Sequence, residues 1–225
     1  MSPLATVYIV RHGETEENLK MIMQGHMDTQ LNETGRQQAR LVADAMRDID
    51  LDRAYSSDLS RARETAKAIL EKHEGVQLIE DEALRERHLG QLQGKQVGTR
   101  ISTDDDPSME PHSKVAGRAL AWWDQYIVAP AKSPDASPFK ALVVSHGGFI
   151  SMLVKALLNN GRASVASGVS TQSRILNASI TTIEVSRAVD GKVRGVVVRC
   201  SDAGHLERAE GVEVLQASAD EMARG

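Results

Sequence analysis

Short apolar runs alternate along the chain with stretches in which apolar residues recur every three or four positions. The runs Thr6–Val10 and Ala141–Val144 are rich in β-branched residues and are bounded by polar segments, so each predicts a buried strand. Three further runs predict strands by the same criteria: Ala54-Tyr55, Asn177–Val185 and Val193–Arg199.

Three stretches with helical spacing lie between these strands, beginning near Ala39, Ala62 and Ile150. Thr34 and Gln37 have the spacing of a capping box, which predicts that the first helix starts there. Strands separated by helices predict an α/β fold, with a mostly parallel sheet and helices on both faces.

The chain of 225 residues fits a single domain, residues 1–225, because no linker-like segment divides it. A loop excursion is expected around residues 98–111, where Asp104-Asp105-Asp106 predicts a solvated loop, and a second loop is expected at Lys132–Pro138. Trp122 and Trp123 lie in a helical stretch and are expected to pack in the core.

The composition narrows the class of protein. The net charge of −4 argues against binding to nucleic acid, and 26% charged residues with 41% apolar residues argue against disorder and a membrane span. The single cysteine, Cys200, cannot form an internal disulfide, and no CxxC pair is present for zinc. We therefore expect a cytoplasmic protein without metal or cofactor. Its oligomeric state is open, with a homodimer as one option.

Ligands of parallel α/β sheets bind beyond the carboxyl ends of the strands, so the polar residues that follow Val10, Ser57 and Val144 are expected to gather at one edge. Two predicted strands end in a histidine followed by glycine, in Arg11-His12-Gly13 and Ser145-His146-Gly147-Gly148. Glycine leaves the imidazole accessible, and an adjacent arginine suits a phosphate. One such corner could be a surface loop, but two at one edge are hard to explain by packing.

Two more segments carry candidate chemistry. Arg61 falls in the first turn of the second helix, with Asp58 or Ser60 as the expected cap. A cation there opposes the helix dipole, which favours a bound anion nearby; the alternative is an exposed arginine paired with Glu64 or Glu86. Glu86, in Leu84-Arg85-Glu86-Arg87, is either part of a solvated loop or, beside a phosphate site, a proton donor to a leaving alcohol.

These segments, in this order, resemble the histidine phosphatase superfamily, the phosphoglycerate mutase-like group. The motifs are most similar to those of broad-specificity phosphatases and stand-alone fructose-2,6-bisphosphatases. The resemblance is carried by Arg11-His12-Gly13-Glu14-Thr15 with Asn18, Gln24-Gly25, Leu31-Asn32-Glu33-Thr34-Gly35, Ser56 to Arg61, Leu84 to Arg87 with Gly90, and Ser145 to Gly148.

The resemblance implies a role for each matching residue. His12 would be the nucleophile that forms a phosphohistidine, and Glu86 would protonate the leaving oxygen and then activate water. Arg11, Arg61 and His146 would clamp the transferring oxygens. Asn18 would add a hydrogen bond, and Gln24, Gly25 and Gly147 would line the substrate site.

The function expected from this resemblance is hydrolysis of small phosphorylated metabolites, such as sugar phosphates. The alternatives are a cofactor-dependent phosphoglycerate mutase, a dedicated fructose-2,6-bisphosphatase and a phosphate-binding relative without turnover. Mutases of the family carry a longer insertion with a paired Arg-Arg, which is missing between Gly90 and Glu110. Pro107-Ser108-Met109-Glu110 retains the glutamate of a Pro-Gly-Gly-Glu-Ser motif without its glycines.

The remaining histidines have less specific contexts. His26, His73 and His112 have no motif partner and are expected at the surface, whereas His88 follows the Glu86 segment and is expected at the pocket rim. His205 lies in a partial match to the Asn-x-x-His-Leu ending of related phosphatases.

Overall fold

The computed structural model describes residues 3–99, 106–133 and 137–207. Within them, seven strands form one sheet in the order β3-β2-β4-β1-β6-β7-β5. The pairs β1–β4, β2–β4, β2–β3 and β5–β7 are parallel, and β6 is antiparallel to β1 and β7. The strands are β1 (Ala5–Arg11), β2 (Arg53–Ser56), β3 (Leu78–Glu80), β4 (Phe139–Ser145), β5 (Ala163–Val165), β6 (Ile180–Arg187) and β7 (Val193–Asp202).

Helices cover both faces of this sheet, as expected. Alternate residues of the central strands enter two cores: Val7 and Val143 pack with α4 and α6, and Val10 and Val144 with α2 and α3. The helices are α1 (Glu16–Leu19), α2 (Glu33–Met46), α3 (Ser60–Leu70), α4 (His112–Trp123), α5 (Ala129–Lys132), α6 (Gly147–Asn159) and α7 (Gly204–Glu207); a π-helical turn (Asp124–Val128) joins α4 to α5, and 3-10 turns lie at Glu82–Leu84 and Gly90–Leu92. None of the helices in the described residues is long and apolar enough to span a membrane.

The predicted helix starts were wrong in detail. Helix α2 begins at Glu33, and its cap is Asn32, whose side chain accepts the Gly35 N–H at 2.8 Å, rather than Thr34. Asn32 caps the helix because the carbonyl oxygen of its short side chain reaches the backbone N–H three residues later in the chain. Helix α3 has Leu59 at its N-cap, and neither Asp58 nor Ser60 caps it by its side chain.

An acidic residue from another loop supplies the missing cap of α3. Asp28 Oδ1 accepts the Ser60 N–H at 2.7 Å, and Asp58 instead binds the Arg85 guanidinium at 2.8 Å. A local sequence motif cannot reveal a cap that is 32 residues away in the chain.

The chain between residues 177 and 179 is a loop, not the start of the predicted strand. Ala178 has a φ of +53°, and its N–H donates to the carbonyls of Arg11 (3.0 Å) and His12 (3.2 Å). Strand β6 therefore begins only at Ile180.

The predicted loop excursion at 98–111 is described in part, since residues 100–105, including Asp104 and Asp105, lie outside the described residues. Asp106 is buried, contrary to the expectation of a solvated loop. Its carboxylate accepts the N–H groups of Gln91 (2.6 Å) and Ser108 (3.0 Å) and fills the space that a side chain at Gly90 would need. In the second predicted loop, residues 134–136 lie outside the described residues.

The aromatic prediction is confirmed, and one histidine prediction is wrong. Trp122 and Trp123 are buried in the α4–α6 core, with Trp122 edge-on to Tyr55 at 5.3 Å between ring centroids. His73 is buried, not at the surface, because the chain turns back on itself at the end of α3.

Candidate active site

The candidate residues meet at the carboxyl ends of β1, β2 and β4. Arg11 pairs with Ser145 and Ser56 with Val144, so the residues that follow these strands lie side by side. The rings of His12 and His146 are 5.1 Å apart between centroids and meet edge to face. The expected gathering of polar residues at one sheet edge is therefore present.

His12 directly follows β1 and is only 1% exposed. Its Nδ1 lies 2.7 Å from the carbonyl oxygen of Gly13. A carbonyl oxygen can only accept, so Nδ1 carries the proton and Nε2 keeps its lone pair. The Nε–H of Arg61 donates to this Nε2 at 3.3 Å. The bond to Gly13 thus fixes the tautomer in which Nε2 carries the lone pair that a nucleophile requires.

Burial lowers the pKa of His12 well below its usual 6.5, and the positive charges of Arg61 and Arg11 lower it further; the bond to Gly13 opposes them. The same causes act on His146: burial lowers its pKa well below 6.5, followed by the charges of Arg61, His12, Arg11 and Arg118. Both imidazoles are therefore neutral at neutral pH.

Two buried arginines supply the positive charge. Arg61, in the first turn of α3, is fully buried, which rules out the exposed arginine considered from the sequence. Its guanidinium donates to the carbonyls of Met27 (2.7 Å) and Gly25 (2.9 Å). Arg11 ends β1, is fully buried, and donates to the Ile175 carbonyl at 2.8 Å. Backbone carbonyls thus orient both side chains.

His146 forms the N-cap position of α6 and lies 2.9 Å from the hydroxyl of Ser57 through Nε2. Gly147 is the buried first residue of α6, beside this ring. A hydrogen bond thus joins the residues that directly follow β2 and β4.

Glu86 lies beside the start of α6 and is only 1% exposed, so it is not part of a solvated loop. Its Oε2 accepts the Gly148 N–H at 2.8 Å, and its Oε1 accepts the Arg87 N–H at 2.8 Å. A Cβ at position 148 would lie 2.6 Å from Oε1. The second glycine of the Gly-Gly pair, which the sequence analysis did not select, is therefore the one that makes room for the carboxylate.

The expected substrate-binding residues belong to the same network. The Oδ1 of Asn18 accepts from Asn177 at 3.3 Å, and no described residue accepts from its buried Nδ2. Gln24 is buried and accepts the Thr29 hydroxyl at 2.5 Å. Gly25 has a φ of +51° and presents its carbonyl to Arg61.

Gly13 has a packing reason beyond access to the imidazole. A Cβ at Gly13 would overlap the backbone of Gly35, and a Cβ at Gly35 would overlap that of Glu14. The start of α2 therefore packs directly against the loop that carries His12. The two glycines 22 positions apart in the sequence form one contact.

Several supporting residues were not found from the sequence. Thr65 accepts the Gly13 N–H at 3.0 Å, and Asn177 donates to the His12 carbonyl at 3.0 Å. His205 Nε2 donates to the Ala178 carbonyl at 3.0 Å, which ties α7 to the same loop. These residues bind backbone groups, and only the partial His205 motif gave a signal.

Of the histidines around Glu86, His26 differs from expectation, whereas His112 lies at the surface as expected. His26 is partly buried rather than superficial, because its Nε2 donates to the Glu86 carbonyl at 2.7 Å. Its ring meets His88 edge-on at 5.0 Å between centroids. His112 is exposed and contacts the Arg87 guanidinium at 2.8 Å. The described residues contain no group of three or more His, Cys, Asp or Glu side chains that could hold a metal ion.

Comparison with known proteins decides the family. The model of the histidine phosphatase superfamily (branch 1) matches residues 7–192. The chain belongs to this superfamily. Its match covers every residue assigned above to the candidate site except His205.

Relatives extend the match over most of the chain. A probable phosphatase of Schizosaccharomyces pombe is 34% identical over 209 residues, covering 91% of this chain and 96% of its own. A broad-specificity phosphatase of Saccharomyces cerevisiae is 33% identical over 67% of this chain and 69% of its own. The crystal structure of a phosphoglycerate mutase from Bacillus anthracis superposes with a TM-score of 0.74 at 27% identity, covering 89% of this chain and 94% of that one. This superfamily fold agrees with the α/β architecture expected from the sequence.

Proposed function

We propose that the protein is a phosphatase that hydrolyses small phosphorylated metabolites, such as sugar phosphates, through a phosphohistidine on His12. The observation that carries the proposal is the fixed tautomer of His12. Its Nδ1 is bound to the Gly13 carbonyl, and its Nε2 faces the Arg61 guanidinium in a buried site. A nucleophile must be unprotonated, and a phosphoryl group needs cations close to it.

The first half of the reaction transfers the phosphoryl group to the enzyme. Nε2 of His12 forms a bond to phosphorus while the bond from phosphorus to the ester oxygen breaks. Glu86 gives a proton to that oxygen, which leaves as an alcohol. Arg11, Arg61 and His146 bind the non-bridging oxygens, and Asn18 donates through Nδ2.

The second half regenerates the enzyme. A water oxygen attacks phosphorus, the bond to Nε2 breaks, and the proton of the water passes to Glu86, which restores the acid. Inorganic phosphate then leaves. The names of two relatives, a probable phosphatase and a broad-specificity phosphatase, support hydrolysis.

Trapping of the covalent intermediate tests the proposal. The purified protein is screened for phosphate release from sugar phosphates, phosphoglycerates and nucleoside monophosphates. It is then mixed with the best substrate, labelled in the phosphoryl group, and quenched in alkali. We expect a labelled protein that is stable to alkali and labile to acid.

Two variants of the histidine pair assign the label. His12→Gln should give neither label nor turnover, whereas His146→Gln keeps the nucleophile and should still be labelled at a slower rate. Label on His12→Gln but not on His146→Gln would transfer the nucleophilic role to His146. A wild-type protein that binds phosphate esters without turnover would instead indicate the non-catalytic alternative.

A further inference from the structure

One arginine outside the motifs holds the backbone around Glu86. Nη1 of Arg118, on α4, donates to the carbonyls of Ala83 (2.8 Å) and Arg85 (2.7 Å), and Nη2 donates to that of Glu86 (2.9 Å). Three carbonyls within four residues thus converge on a single guanidinium. Because the group is planar and rigid, these bonds fix the direction in which the chain delivers the Glu86 side chain.

Glu110, which the sequence analysis noted as the retained part of an incomplete motif, fixes Arg118 in turn. Its Oε1 accepts from Nε of Arg118 at 2.9 Å, and its Oε2 accepts from Nη2 at 3.1 Å. Side-chain exposure is 8% for Glu110 and 19% for Arg118. Two hydrogen bonds join the two side chains, and both side chains are largely shielded from water. The ion pair is therefore held in one geometry, whereas an exposed pair is not.

Arg118 also contacts the helix that binds the Glu86 carboxylate. Its guanidinium carbon lies 5.2 Å from the ring centroid of Phe149, on α6. The preceding residue, Gly148, donates its N–H to Glu86 Oε2. The same side chain therefore touches both supports of the carboxylate, the segment that carries it and the helix start that receives it.

We propose that Arg118 and Glu110 are positioning residues for Glu86 as the proton donor. This inference rests on the proposed function. Neither residue touches the reacting atoms, and both act through the carboxylate. Displacement of a catalytic group by about 1 Å can cost about 10²-fold in rate, so loss of this support should impair the step that needs the proton.

The dependence on leaving group separates positioning from a general structural role. An alkoxide leaves only when it is protonated, whereas p-nitrophenolate leaves without help. A misplaced Glu86 should therefore slow phosphoryl transfer from alkyl phosphates and spare transfer from p-nitrophenyl phosphate. The second half of the reaction, in which Glu86 takes the proton of water, is the same for both substrates and does not enter kcat/KM. The two substrates are therefore compared by kcat/KM. A distorted fold would displace His12 and Arg61 as well and would slow both substrates alike.

The test compares Arg118→Lys and Glu110→Gln with Glu86→Gln as the reference. For an alkyl phosphate we expect kcat/KM to fall by at least about 10-fold in Arg118→Lys and less in Glu110→Gln, which keeps the carbonyl contacts. For p-nitrophenyl phosphate, kcat/KM should stay within about threefold of wild type. Glu86→Gln should give the same selectivity in a stronger form.

Arg162→Lys is the matched control. Arg162 pairs through Nη1 with both oxygens of Asp124, at 2.6 and 2.7 Å, and within the described residues its side chain makes no hydrogen bond to the candidate site. Its replacement also removes an arginine from a carboxylate pair, and it should leave both rates unchanged.

The outcomes separate this inference from the proposed function. Equal loss for the two substrates in both variants, or no loss in either, would overturn the positioning role. If Arg118→Lys does not fold, the selectivity of Glu110→Gln decides alone. Absence of the phosphohistidine in the wild type would refute the proposed function itself, whereas a labelled wild type with unselective variants would refute only the role of Arg118 and Glu110.

Discussion

Acidification should destabilise the folded protein through His12 and His146, because both are buried as neutral imidazoles. Burial and the charges of Arg61 and Arg11 hold both pKa values well below the 6.5 of an unfolded chain. As the pH falls through 6.5, the unfolded chain binds protons that the folded protein does not, so its stability decreases. The contribution of the two histidines to stability is fully present above their pKa in the unfolded chain. It is lost as the pH falls towards their pKa in the folded protein.

The magnitude follows from linkage. Consider a histidine whose pKa is 6.5 in the unfolded chain and which stays neutral in the folded protein. Between pH ~7.5 and ~5.5 it lowers the free energy of unfolding by about 1.4 kcal/mol. His12→Gln or His146→Gln should each lose about 1.4 kcal/mol less than the wild type over this interval, and the double variant about 2.7 kcal/mol less. Contributions from other titrating groups are common to all proteins and cancel in the difference.

Urea unfolding at the two pH values measures these differences. Trp122 and Trp123 are the two tryptophans of the chain and are both buried, so their fluorescence reports unfolding. The buffers must contain no phosphate, which would stabilise the folded state by binding. Asn18→Ala is the control, because it alters the site, keeps both histidines and should retain the pH dependence of the wild type.

Equal losses of stability in the wild type and the double variant would refute the reasoning. They would mean that both imidazoles titrate in the folded protein as in the unfolded chain. The lone pair on Nε2 of His12 would then not be maintained by its surroundings, and its assignment as the nucleophile would lose its physical basis.

Four further predictions follow from the site. Arg61→Ala should reduce kcat for phosphate release by about 10²-fold or more, because one donor to the transition-state charge is lost. Exhaustive treatment with a chelator should leave the activity unchanged, and a loss reversed by magnesium would contradict the metal-free scheme. With 3-phosphoglycerate, phosphorus NMR should detect free phosphate and little 2-phosphoglycerate; rapid interconversion would favour the mutase. Gly35→Ala should lower the urea midpoint, at a cost of about 1–3 kcal/mol, because its Cβ would overlap the Glu14 backbone.

The central strands and the two histidine corners could be predicted because their signals are local. A β-branched run followed by His-Gly specifies both the strand and the residue that leaves it. Parallel pairing then brings His12 and His146 together without further information. The same reasoning fails for β3 and β5, which have three residues each and too few apolar positions to form a pattern.

Side chains that hold the site by binding backbone N–H or carbonyl groups could not be predicted from the sequence. Asp28 caps a helix 32 positions later, and Arg118 binds carbonyls 32 to 35 positions earlier. A carbonyl is present at every residue, so its partner leaves no pattern in the sequence. Asp106 could not be placed for the same reason. A run of acidic residues predicts exposure, and the backbone N–H of Gln91 that binds the buried Asp106 carboxylate leaves no signal in the sequence.

The two arginines act on the site in two ways that depend on pH differently. Beside burial, the charges of Arg61 and Arg11 lower the pKa of His12, which keeps the proposed nucleophile unprotonated before substrate binds. In the proposed mechanism the same charges bind the phosphoryl oxygens. Removal of Arg61 should therefore destabilise the transition state at every pH. It should also raise the pKa of His12 towards 6.5. The deficit of Arg61→Ala should grow as the pH falls towards this raised pKa, since His12 of the variant binds a proton at a higher pH than His12 of the wild type. A deficit that is constant across this range would restrict Arg61 to binding the phosphoryl group.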